Sequence, residues 1–172
     1  MKTSIDLYSK LVIIDKYIYK IIPVIRERID GGIYTIDSLN VPSYVIAILH
    51  FMESGGDMKR AIKNGRPIPA SVSFKDNAIF SLKTFFEMQN RSFSFDSIEG
   101  IADFFERWNG LGYRMRGLYS PYLWAGTNVP TEGKYTSDGK YTSKAISKQI
   151  GAMAYVKALN ISPSMVVMRV LT

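Results

Sequence analysis

The chain has 172 residues, 47% hydrophobic and 13% aromatic, with 22 Lys and Arg against 15 Asp and Glu for a net charge of +7. That length suits one compact domain with a sizeable core, and the composition excludes disordered, collagen-like and disulfide-scaffold classes. With no cysteine and a single histidine, His50, it also excludes thiolate chemistry and zinc sites built on two or more histidines, so no metal or cofactor is expected.

No internal repeat or linker divides the chain, and a single, mainly α domain over residues 1–172 is expected, with at most a small β-hairpin. Residues 4–29 read as one long N-terminal helix, with Ile5, Tyr8, Val12 and Tyr19 near one stripe, kinked or shortened at Pro23 and stopped by Asp30-Gly31-Gly32. Its apolar run LVIIDKYIYKIIPVI is broken by Asp15, Lys16 and Lys20, so it is neither a signal-peptide core nor a membrane span, and no stable membrane insertion is expected. A second helix, over 42–53, has Pro42 in its first turn and is apolar nearly all round, as a buried central helix is. A short helix is predicted over 57–65, with Gly65 in the left-handed conformation at its end. Residues 76–88 are amphipathic. Asp96, with Glu99 three residues on, reads as the cap of a helix that runs to Asn109 and stops at Gly110. Residues 110–142 are loop-rich and aromatic, and GKYTSDGKY within them is the pattern for a small hairpin. Ser143 reads as the cap of a last helix over 144–159, followed by an apolar tail after Pro163.

The stretch HFMESGGD places Glu53 where the buried helix runs out into two glycines. Desolvation and the negative end of the helix dipole both disfavour a charged carboxylate there and raise its pKa. A carboxyl kept protonated near neutrality suits a general acid. The alternative is a glutamate exposed at a helix end or satisfied by backbone N–H groups. His50, one turn earlier, either orients the acid or is a hydrogen-bonded core histidine. In ERWNGLGYR, Glu106 and Asn109 share a helix face, and an amide beside a ring suits the hydroxyl and acetamido groups of a sugar; Trp108 reads as core. Tyr119, Tyr122, Trp124, Tyr135 and Tyr141 either wall a groove or pin a long loop to the core.

The basic surface attracts polyanions, whether nucleic acid, anionic lipid or the acidic polymers of a bacterial wall. Lys and Arg are scattered without a stripe, and GLGYRMRG lacks the Lys-Ser/Thr ending of a phosphate-binding loop and follows a helix, so nucleic acid is not expected as the partner.

These motifs, in this order, resemble a family of phage and bacterial lysozyme-like peptidoglycan hydrolases that show H-x-x-E-S-G, N-G-x-P, E-R-[YFW]-N-G-x-G-Y-R, S-P-Y-L-W and G-K-Y-x-x-D-G. The likeness runs from about His50 to Gly151, inside a motif-bearing core of about 42–160. It implies a lysozyme-like helical fold and hydrolysis of the β-1,4 bond between N-acetylmuramic acid and N-acetylglucosamine, with Glu53 as the catalytic acid. It also places Asn109 in the sugar cleft. Beside it, Tyr113, Tyr122, Trp124 and Asn128 are expected as further sugar-binding residues, His50 and Ser54 as supports of the acid, and Glu106, which shares a helix face with Asn109, as a second carboxylate ahead of Asp57 and Asp138. The wider superfamily shows Y-N-A-G in the sugar cleft, where this chain has Trp108-Asn109-Gly110, without the tyrosine and the alanine. A lytic transglycosylase using the same acid and a non-catalytic wall-binding virion component are the alternatives. No signal peptide is visible. The implied setting is the host cytoplasm until release to the wall by a holin-type partner, or the virion among its other proteins.

Overall fold

The computed structural model describes residues 3–135 and 139–161; Asp138 and the tail after Pro163 lie outside the described residues. The chain is mainly helical, with α1 (Ser4–Ser9), α2 (Ile18–Asp30), α3 (Ser43–Ser54), α4 (Phe74–Gln89), α5 (Ile98–Asn109), α6 (Gly112–Met115), α7 (Pro121–Trp124) and α8 (Ala152–Ala158). A small antiparallel hairpin joins β1 (Lys134–Tyr135) to β2 (Tyr141–Thr142), with Lys134 opposite Thr142. Contacts group the chain into two compact units, one made of Met1–Lys20 with Asp96–Thr172 and the other of the continuous stretch Ile21–Phe95.

In the continuous unit, α3 is the core element. Val45 through His50 have no exposed surface, which is why the helix shows no polar stripe. Pro42 caps its start, and Gly55 (φ 65°) ends it. The Gly55 N–H donates to the Phe51 carbonyl at 3.0 Å, the 5→1 bond of a left-handed glycine close, and the Gly56 N–H donates to the His50 carbonyl at 3.3 Å. Helix α4 starts on Ser73, whose hydroxyl accepts from the Asp76 N–H at 3.1 Å, and ends on Asn90 at φ 48°.

Residues 57–65 form turns instead of the predicted helix. Asp57 Oδ1 accepts from the Lys59 N–H at 2.9 Å, Arg60 pairs with Pro67 as an isolated bridge, and the Ile68 N–H donates to the Lys59 carbonyl at 2.8 Å. A short carboxylate that bonds its own backbone two residues on offers the chain an alternative to helix.

In the other unit, α5 packs against α1, α7 and α8, and α7 against α8. Phe104, Phe105, Trp108, Leu123, Trp124 and Met153 are buried. The single helix expected over 4–29 is two helices separated by an extended stretch. Leu11 and Ile13 are buried while Val12 and Ile14 are exposed, a period of two, and Ile13 bridges to Thr127. The run Val12-Ile13-Ile14 is β-branched and suits extended backbone. Asn128, 116 residues away, fastens it: its Oδ1 accepts from the Val12 N–H at 2.9 Å and its Nδ2 donates to the Lys10 carbonyl at 3.0 Å. Pro23 lies inside α2 without ending it.

Two caps also move. Ser97, not Asp96, starts α5, its hydroxyl accepting from the Gly100 N–H at 3.1 Å. The last helix begins at Ala152 and not at 144. Gly151 explains this: it is extended at φ −79° and ψ 155°, its N–H donates to the Ala125 carbonyl at 2.9 Å, and a Cβ on it would sit 2.5 Å from the Leu123 carbonyl carbon. The chain is thus pinned to the backbone of α7 before the helix starts.

Candidate functional site

Glu53 lies half-buried in the last turn of α3, within the Ile21–Phe95 unit. Lys63, on the turns that follow, feels it: burial pulls the Lys63 ammonium below its ordinary pKa, and the charge of Glu53 pushes it back up. The Lys63 ammonium also lies 5.5 Å from the Phe85 ring centroid. Gly65 holds these turns against the acid's own backbone. Its φ is +64°, and a Cβ on it would come within 2.3 Å of the Glu53 carbonyl oxygen, so only glycine fits.

Beneath the turn lies a chain of mostly neutral hydrogen bonds. His50 Nε2 is 2.9 Å from the Asp57 carbonyl, which can only accept, so Nε2 carries the proton and Nδ1 accepts from the Tyr34 hydroxyl at 2.8 Å. Burial, and then the Arg28 charge, hold His50 below its ordinary pKa, while the contact with Asp57 partly offsets them. Arg28 Nη1 donates to the Gly56 carbonyl at 2.6 Å. Both ring nitrogens are therefore engaged by groups other than Glu53, and His50 is the hydrogen-bonded core histidine of the two alternatives: it fixes the Gly55–Asp57 turn. The Ser54 hydroxyl donates to the His50 carbonyl at 2.7 Å. Asp57 is exposed, and its bonds from the Lys59 N–H and Arg60 hold its carboxyl below the usual range.

The other unit carries a pocket of about 380 Å³, lined in part by Asn109, Tyr113 and Tyr122 together with Lys134, Tyr135 and Gln149. Asn109 is the last residue of α5, before Gly110 at φ 100°. The Tyr135 N–H donates to the Tyr113 hydroxyl at 3.2 Å, and the rings of Tyr113, Tyr135 and Tyr141 meet edge to face, with centroids 5.0, 5.5 and 6.3 Å apart. Arg116 Nε donates to the Tyr135 hydroxyl at 3.0 Å, and its guanidinium lies 4.7 Å from the Tyr141 ring centroid. Gly112 admits this cluster, because a Cβ there would meet the Tyr135 hydroxyl at 2.7 Å.

Of the sequence-assigned sugar-binding residues, the pocket thus gathers Asn109, Tyr113 and Tyr122. Trp124, only 2% exposed, is in the core, and both ends of the Asn128 amide are spent on Lys10 and Val12. Glu106 is buried, and its carboxylate accepts from Arg114 Nε at 2.8 Å and again from Arg114 Nη2. Arg114 also reaches Asp103 at 2.9 Å, and Asp103 pairs with Arg107 at 3.0 Å. Burial works against the Arg114 charge, but Glu106 and Asp103 outweigh it and raise its pKa. The first and last letters of ERWNGLGYR therefore form a clamp between α5 and α6. Lys134 and Gln149 were not singled out in the sequence: Lys134 sits in the strand motif GKY, and Gln149 in a stretch predicted as helix.

Among the described residues no group of three or more His, Cys, Asp or Glu is placed to hold a metal ion, and no helix is long and apolar enough to cross a membrane. Comparison of the chain with protein-family models, curated proteins and solved structures gave no match.

Proposed function

We propose that this chain is a lysozyme-like peptidoglycan hydrolase that cleaves the β-1,4 bond between N-acetylmuramic acid and N-acetylglucosamine, with Glu53 as general acid. The observation that carries the reading is the half-buried carboxyl in the last turn of a helix in which Val45 through His50 have no exposed surface, above a turn fixed by His50, Tyr34 and Arg28. In the reaction Glu53 gives its proton to the glycosidic oxygen as positive charge builds on the departing sugar ring. The carboxylate left behind lies in the field of Lys63, which stabilises the charge this step creates. In the other unit, Asn109 offers an amide, and Tyr113 and Tyr122 offer rings, suited to binding a sugar of the glycan. The basic chain suits an anionic wall. A phage enzyme of this kind reaches the wall through a holin-type partner or as part of the virion.

One observation favours a second reading. Glu106 is committed to Arg114, and a lytic transglycosylase needs no second carboxylate, because the substrate's own 6-hydroxyl closes on the anomeric carbon. Mass spectrometry of digested sacculi separates the two, since anhydromuramic ends appear only in the second. The test of both is turbidity loss of purified cell walls by wild type and Glu53→Gln side by side. A general acid contributes about 10²–10⁴-fold, so the variant should clear walls slower by that factor with an unchanged melting temperature. A variant that clears walls at the wild-type rate, or a wild type that leaves them intact, refutes the enzymatic reading.

A further inference from the structure

The tyrosine pocket carries an electrostatic signature that its neutral residues do not need. Lys134 is the one charged residue among the described residues that line it; the rest are glycines, tyrosines, amides, a proline and a serine. Lys134 makes no ion pair among the described residues. A second cation, Arg116, stands behind the cluster, bonded to the Tyr135 hydroxyl and stacked on Tyr141. A pocket for a neutral hexosamine gains nothing from an ammonium at its wall that pairs with no carboxylate among the described residues, whereas a ligand with a carboxylate gains a charge-assisted hydrogen bond. The other lining groups fit a pyranose ring: Tyr113 and Tyr122 offer aromatic surface, and Asn109 and Gln149 offer amides for hydroxyl or acetamido groups.

We infer that this pocket selects a pyranose bearing a carboxylate, with Lys134 pairing with that carboxylate, so that within peptidoglycan it takes the muramic acid residue in preference to glucosamine. The identity of the sugar rests on the wall-directed reading above; the need for an anionic ring rests on the pocket alone. Lys134 is then a specificity-determining residue. It recognises which of the two alternating sugars occupies the pocket.

The test titrates the full chain with N-acetylmuramic acid and with N-acetylglucosamine, observed by ligand NMR. Neither monosaccharide has a bond to cleave, so the outcome is independent of Glu53 and of any catalysis. The muramic acid should bind about fivefold more tightly, the preference weakening as salt rises from about 0.05 to 0.5 M. Lys134→Gln should abolish the preference and leave glucosamine binding as it was, while Lys134→Arg should restore most of it. Lys134 is exposed, so neither variant should alter the melting temperature. Equal affinity for the two sugars, binding of neither, or a preference that survives Lys134→Gln overturns the inference. Wall clearance lost in Glu53→Gln would still stand in any of those cases.

Discussion

Helices α3 and α5 each deliver a polar side chain, Glu53 or Asn109, from a last turn that a glycine closes, yet they hold that turn with different chemistry. Below the end of α3 the polar groups are largely neutral and buried: the His50 imidazole, the Tyr34 hydroxyl and backbone carbonyls, with Arg28 at the margin. Around the end of α5 they are charged and partly wet, in the set Asp103, Glu106, Arg107 and Arg114. A helix with no solvent-facing stripe has no inexpensive place for an ion pair, because each charge would lose its hydration. Its end is therefore fixed mostly by neutral hydrogen bonds, with a single guanidinium at the edge. An amphipathic helix keeps one face near water and uses guanidinium–carboxylate pairs there.

Variants should break that contrast by falling amounts. His50→Ala leaves the Tyr34 hydroxyl and the Asp57 carbonyl without their buried partner and opens a cavity, and should cost about 3 kcal/mol in a urea titration. The cost depends on pH with a defined sign. The folded-state pKa of His50 is depressed, so its contribution is complete above the unfolded value of about 6.5 and is lost as pH falls through that value toward the folded one. The stability gap between wild type and His50→Ala should narrow between about pH 7.5 and 5; a constant gap would mean that the imidazole is not held neutral.

Gly65→Ala comes next, at about 2 kcal/mol, since it combines an unfavourable positive φ with a Cβ driven into the Glu53 carbonyl. It should also slow wall clearance by displacing the acid's backbone; normal stability would show that the turn relaxes freely. Glu106→Gln is the mildest, at about 1–2 kcal/mol, because the amide still accepts one bond from Arg114. A clamp predicts a lower melting temperature with wall clearance retained below it. Lost clearance at an unchanged melting temperature would instead return Glu106 to catalysis.

Much of the helical framework was legible because its signals are local: Pro42 and Gly55 around α3, Gly110 after α5, and the GKY repeats of the hairpin. Two of the misreadings share a cause. Residues 10–15 look helical until Gly126 and Asn128 pair with them, and residues 144–150 look helical until Gly151 is pinned to α7. In both cases a distant backbone group decided, and nothing in the local pattern announces it. The pocket was half-legible for a related reason. Motif order marks Asn109, Tyr113 and Tyr122 together with Trp124, Asn128 and Glu106, but it does not distinguish side chains that line a space from those that hold the loop around it.

The Asn128 tie also has a temporal side. Because the chain leaves the ribosome from its N-terminus, Ile21–Phe95 has emerged whole well before Asn128 appears, and that unit can condense during translation. The first twenty residues must wait for partners made more than a hundred codons later, so the slowest folding step should be the return of this leading strand, and a truncation that ends before Asn128 should leave it exposed to proteases.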